Sequence, residues 1–122
     1  MKIASLTASL LVLAFAAAQA AEQKPTGQMA RQSLMVKGMQ RTFLVYTPKS
    51  LKPEAPLLFV FHGSGGDGEG MREVTSYEFE QLADRDGFVV IYPDGYQTTW
   101  NDCRKASPQP ARRMNIDDES FV

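Results

Sequence analysis

The run HGSGGDGEG, His62 to Gly70, joins a histidine and a serine to five glycines. Three chemistries use a loop of this kind. The first is phosphate binding, in which bare backbone cradles a ligand at a helix N-terminus. The P-loop pattern ends in Gly-Lys-Ser/Thr, and no lysine stands here. The dinucleotide spacing G-x-G-x-x-G is met from Gly63, but its distant acidic residue is only loosely met by Asp94. The second is nucleophilic attack by Ser64 from a G-x-S-x-G elbow. His62 occupies the first glycine position of that pattern, where a side chain crowds the turn. His62 is also the only histidine of the chain, so no base follows the serine. The third is an oxyanion loop, whose N–H groups face the negative oxygen of a tetrahedral intermediate. Such a loop lies after the first central strand and before the first helix. The run lies at that point, and the third reading fits the order of elements best.

Elements on either side must hold this loop. PLLFVFH, residues 56–62, is continuously apolar, as a strand covered on both faces of a parallel sheet would be. After the glycines, Phe79, Leu82 and Ala83 fall on one helical stripe. Thr75 or Ser76 is placed to cap that helix, and Gly87 to stop it. FVVIYP, residues 88–93, is a second continuous apolar strand. Strand, glycine loop, helix and strand make one βαβ unit, for which a right-handed crossover is expected. Upstream, Ser33–Val36 and Arg41–Tyr46 read as an antiparallel hairpin around Gly38, ended by Pro48. Downstream, residues 94–113 read as a long polar loop. NIDDESFV at the end reads as a cap and first helical turn, with Asp117 and Asp118 suited to a helix N-terminus. The fold class expected is α/β.

Composition narrows the setting. The chain of 122 residues carries 43% hydrophobic and 22% charged residues and a net charge of −1. These are ordinary values for one globular domain. Lysines and arginines are scattered, so no nucleic-acid surface is expected. Met1–Ala20 has a positive start, an apolar stretch and the small-x-small tripeptide AQA, which together predict a signal peptide cleaved after Ala20. Residues 21–31 read as a flexible leader and 32–122 as the folded part. The apolar stretch is short of the ~20 residues that a spanning helix needs. An exported protein with no membrane attachment after cleavage is therefore expected. Cys103 is the single cysteine, which is unusual in an exported chain. It is either a free thiol or one half of a disulfide. No His/Cys cluster suggests a metal.

RTFLVYTPKS, PLLFVFHGSGGDGEGM, LADRDGFVVIYPDGY, WND and NIDDESFV, in this order, resemble the family of secreted polyhydroxybutyrate depolymerases and feruloyl or acetylxylan esterases. These are α/β-hydrolases, and the resemblance runs from about Arg41 to Val122. It implies a serine ester hydrolase acting on hydroxyalkanoate polyesters or on acyl esters of plant polysaccharide, with no cofactor. It implies that the N–H of Ser64 or of Gly63 is an oxyanion donor, with the Ser64 hydroxyl a bystander. His62 is then a structural hydrogen-bonding residue at the strand end. Trp100, in the loop after the second βαβ strand, becomes a candidate wall of the substrate cleft. Asp94 reads as a turn residue. The family's nucleophile elbow, acid and base have no counterpart in these residues. The expectation is thus an N-terminal portion, cut before the nucleophile strand, inactive by itself, with a disulfide partner for Cys103 in the absent part. The rival expectation is a non-catalytic exported binding module or an unstable remnant.

Overall fold

A computed structural model describes residues 24–104 and 106–122. The expected signal peptide and its cleavage point after Ala20 lie outside the described residues. Strand β1 (Gln28–Val36) and strand β2 (Met39–Thr47) form an antiparallel hairpin, with Val36 opposite Met39. Lys37 and Gly38 make its two-residue turn, both at positive φ (47° and 80°). That geometry matches the twist of the strands it joins, and glycine accepts it at no steric cost.

The hairpin is longer than its apolar pattern suggested. Residues 28–31, expected in a flexible leader, are paired strand, from Gln28 opposite Thr47 to Arg31 opposite Leu44. Even Thr26 and Gly27 are tied down, by Asp84 and by the Tyr46 hydroxyl. The reason is that β1 is an edge strand with mostly exposed side chains. Its backbone ladder orders it, and a ladder leaves no hydrophobic period in the sequence.

Strand β3 (Leu57–Phe59) pairs in parallel with strand β4 (Val89–Pro93), and β4 pairs antiparallel with β2. The sheet order is β1-β2-β4-β3. Between β3 and β4 lie helix α1 (Gly68–Val74) and helix α2 (Glu78–Asp86), where a single helix was expected. Asp67 caps α1 by accepting from the Gly70 N–H at 2.8 Å. Thr75, expected to start a helix, instead ends α1, and its hydroxyl donates to the Met71 and Arg72 carbonyls. Ser76 and Tyr77 turn the chain at positive φ (51° and 58°). Tyr77 opens α2 without a side-chain cap. Gly87 closes α2 in the left-handed region, as its position predicted. A short helix α3 (Pro110–Arg113) interrupts the segment read as polar loop. NIDDESFV forms turns rather than a helical start.

The sheet has two unlike faces. Leu44, Tyr46, Val60, Val90 and Tyr92 point to the helices and pack with Ala83 of α2. Tyr92 and Val90 are wholly buried. Burial of such side chains stabilises by roughly 1.5–3 kcal/mol each. On the other face Phe121 meets Phe43 edge-on at 6.3 Å between ring centroids. Leu57 and Phe61, on that same face, remain 58% and 45% exposed. Continuous burial on both faces of β3, expected from its sequence, is therefore not met among the described residues. No described helix is long and apolar enough to cross a membrane.

Candidate functional site

The glycine run leaves the end of β3 and enters α1. Its five glycines answer to different constraints. Gly65 sits at φ 86°, where other residues are strained. Gly68 packs so tightly that an added Cβ would lie 2.8 Å from the Tyr92 carbonyl oxygen. Gly63 faces open space. Close approach of a ligand is thus not the common reason for the run, since Gly65 and Gly68 are required by the fold itself.

The backbone donors of the loop divide into used and unused. The Gly65 N–H donates to the Thr98 carbonyl at 2.8 Å, and the Gly66 N–H to the Gly63 carbonyl at 3.1 Å. The N–H groups of Gly63 and Ser64 make no hydrogen bond among the described residues, and both residues are exposed. They are adjacent free donors, and donors of this kind stabilise a developing oxyanion where both aim at one point. Among the described residues the Ser64 hydroxyl makes no hydrogen bond to a base. The imidazole of His62 turns elsewhere.

His62 is buried to 5% exposure. Its Nδ1 lies 2.6 Å from the Gly63 carbonyl oxygen, and its Nε2 accepts from the Gly95 N–H at 2.9 Å. A carbonyl oxygen only accepts and an amide only donates, so the ring is neutral with its proton on Nδ1. Both nitrogens are occupied, and His62 has the structural role expected of it. Trp100 packs against it, the rings tilted by 36° with centroids 4.9 Å apart, and the indole N–H donates to the His62 carbonyl at 2.9 Å. Phe61 meets the indole edge-on at 5.4 Å. The observed contacts of Trp100 are therefore with the loop it supports. A bare indole N–H would have had to find such a partner once partly buried.

Asp94 does far more than shape a turn. One carboxylate oxygen accepts from the Gly68 N–H at 2.9 Å, and the other from the Thr42 hydroxyl at 2.7 Å and from Arg31 at 2.6 Å. Burial by itself would raise its pKa. The Gly68 amide, the Thr42 hydroxyl and the Arg31 guanidinium outweigh it and hold the carboxyl below its usual range. Sequence reasoning missed this role because the partners are scattered over β1, β2 and the start of α1. Glu80 was missed too. It is fully buried, accepting from Arg72 at 2.7 Å and from the Tyr92 hydroxyl at 2.9 Å.

Asp117 accepts from the Ser120 N–H, a local turn bond, and pairs with Lys37. Asp118 is no helix cap. It pairs with buried Arg41 at 2.8 Å and accepts from the Asn101 N–H at 2.6 Å. Cys103 is exposed and unpaired. A cavity of about 490 Å³ lies between the start of β1, Tyr46 and the α1–α2 junction, away from residues 63–66. The glycine loop itself lies on open surface. No group of three potential metal ligands occurs among the described residues.

No family model matches the chain. Over 66 residues it is 41% identical to a bifunctional acetylxylan esterase/xylanase, XynS20E, of Neocallimastix patriciarum. That match takes in 52% of this chain and 10% of the relative, so the chain spans about a tenth of the length of the curated relative it matches. Among solved structures, an S-formylglutathione hydrolase from Agrobacterium tumefaciens superposes with a TM-score of 0.51 at 24% identity, over 66% of this chain and 29% of that one. A ferulic acid esterase superposes with a TM-score of 0.45 at 18% identity, over 55% of this chain and 30% of its own. The likeness to the first of these structures shows the fold, an α/β-hydrolase sheet with its helices, in partial form.

Proposed function

We propose that this chain is the N-terminal part of an exported acyl ester hydrolase, and that Gly63 and Ser64 supply its oxyanion donors. The observation that carries the reading is the pair of adjacent, exposed, unbonded N–H groups between β3 and α1. The reaction is acyl transfer to a serine and then to water. His62 has no free nitrogen and Ser64 makes no hydrogen bond to a base among the described residues, so in this reading neither serves as base or nucleophile. Ester acyl groups on plant polysaccharide are the preferred substrate, supported by the 41% identical stretch of an acetylxylan esterase/xylanase. Hydroxyalkanoate esters are the second choice, on the sequence resemblance alone. Export rests on the apolar stretch and AQA tripeptide before Ala21.

The test is hydrolysis of p-nitrophenyl butyrate and of acetylated xylan by the native protein that contains these residues. A serine-directed phosphonate should label a serine other than Ser64. Labelling of Ser64 would replace the oxyanion reading with the nucleophile reading. Absence of turnover on both substrates would remove the hydrolase reading. N-terminal sequencing of the exported protein should begin at Ala21, and a retained Met1 there would remove the signal-peptide assignment.

A further inference from the structure

The two free donors belong to peptide planes whose carbonyl oxygens are held in place. A trans peptide is flat, with its C=O and N–H pointing in opposite directions. The plane between His62 and Gly63 carries the Gly63 N–H at one end. Its other end, the His62 carbonyl, receives the Trp100 indole N–H at 2.9 Å. The plane between Gly63 and Ser64 carries the Ser64 N–H. Its carbonyl, on Gly63, receives the His62 Nδ1–H at 2.6 Å and the Gly66 N–H at 3.1 Å. Without these ties the planes flanking Gly63 would be free to swivel, because glycine has the widest choice of φ and ψ.

We propose that Trp100 and His62 are positioning residues that aim the Gly63 and Ser64 donors by holding the opposite ends of their peptide planes. The proposal rests on the ester-hydrolase reading above and deepens it. Among the described residues, the loop's supports from outside itself come from one segment. Asp94 takes the Gly68 N–H, Gly95 holds His62 Nε2, Thr98 takes the Gly65 N–H, and Trp100 takes the His62 carbonyl. Residues 94–100 therefore act as a template beneath the loop, and the tilted contact of Trp100 with His62 couples the two aiming groups. The Ser64 plane has two anchors. Among the described residues, the carbonyl end of the Gly63 plane has only the indole. Trp100 is thus the residue whose loss should be felt most at one donor.

Trp100→Phe keeps an aromatic ring beside His62 but removes the donor N–H, together with part of the ring's bulk. In the native enzyme it should lower kcat for p-nitrophenyl acetate by about 10–100-fold, less than the ~10²–10³-fold for outright loss of one oxyanion donor, because the Gly63 N–H is misaimed and not removed. KM should stay within about twofold, because the lost interaction is made in the transition state. A measurement independent of turnover uses the unaltered chain of 122 residues, in which Trp100 is the single tryptophan. Its indole proton should exchange with solvent at least about tenfold more slowly than that of free tryptophan, as a proton in a native hydrogen bond does. In Trp100→Phe, the amide resonance of Gly63 should move more than that of Ser64. An indole proton exchanging at the free rate overturns the proposal, even if the variant fails to fold. So does an active Trp100→Phe enzyme with unchanged kcat. A protected indole in a protein with no ester turnover leaves the aimed donors standing and removes the hydrolase reading instead.

Discussion

At the residue scale, identity and role part company at Ser64 and at Asp94. In the proposed oxyanion role Ser64 offers only its backbone, so Ser64→Ala should leave the native enzyme's kcat/KM within about tenfold. Loss of a true nucleophile costs about 10⁶-fold. A steady-state assay of the variant distinguishes the two, and a loss of the larger size would assign the nucleophile to Ser64. Asp94 offers its charge. Its carboxyl is held below the usual range in the fold, so the stabilisation it brings is complete above the ordinary value of about 4. That stabilisation fades as pH falls through the lower folded value. Asp94→Asn should therefore melt at a lower temperature than the parent chain at pH 7, and the gap should narrow below about pH 4. A gap independent of pH would mean that the carboxylate charge is not what holds Gly68, Thr42 and Arg31.

At the element scale, the loop is set between β3 and α1 by how closely α1 approaches β4. Gly68 is the point of approach, and a methyl group there would press on the Tyr92 carbonyl. Gly68→Ala should lower stability by about 1–3 kcal/mol, the usual cost of forcing extra volume into a packed contact. Gly63→Ala is the control, since its Cβ would enter open space. Thermal melts of the two variants should separate clearly, and equal melts would deny that α1 packs this tightly. The break between α1 and α2 has a comparable logic. Arg72, in the last turn of α1, reaches Glu80 in the first turn of α2. A continuous helix would carry the second segment off the sheet. The left-handed pair Ser76 and Tyr77 brings Glu80 under the sheet, where the Tyr92 hydroxyl and Arg72 satisfy it.

At the scale of the whole molecule, the C-terminal segment is tied to the loop through a relay of contacts. Arg41 on β2 is 3% exposed, lies with its guanidinium 4.1 Å from the centre of the Phe121 ring, and pairs with Asp118. Asp118 in turn holds the Asn101 N–H, directly after Trp100. Removing one partner of a buried pair strands the other charge, at a cost of about 3–5 kcal/mol. Asp118→Ala should therefore destabilise by about 3 kcal/mol. It should also speed amide exchange at Asn101 and Phe121 before that of the β1–β2 hairpin. Uniform acceleration across the chain would show a general loss of stability in place of a local release.

Much of the fold was legible because it is local. The Lys37–Gly38 turn, the Gly87 stop, the two apolar strands and the placement of the glycine run before a helix depend on residues a few positions apart. The helix starts failed locally, since Asp67 was the better cap and Thr75 serves a C-terminus. What the sequence alone determined was an α/β order of elements and a bare loop between its first parallel strand and first helix. The tertiary structure alone decided which donors of that loop stay free. Its supports lie far away in the chain, with Trp100 38 residues from His62 and Gly95 33 residues from the same ring. Arg31 and Asp94 meet across 63 residues. Pairing at such separations leaves no periodicity behind. It follows from the parallel crossover that brings the end of β4 beside the end of β3, and there the polar groups of two loops satisfy one another, leaving the Gly63 and Ser64 amides free.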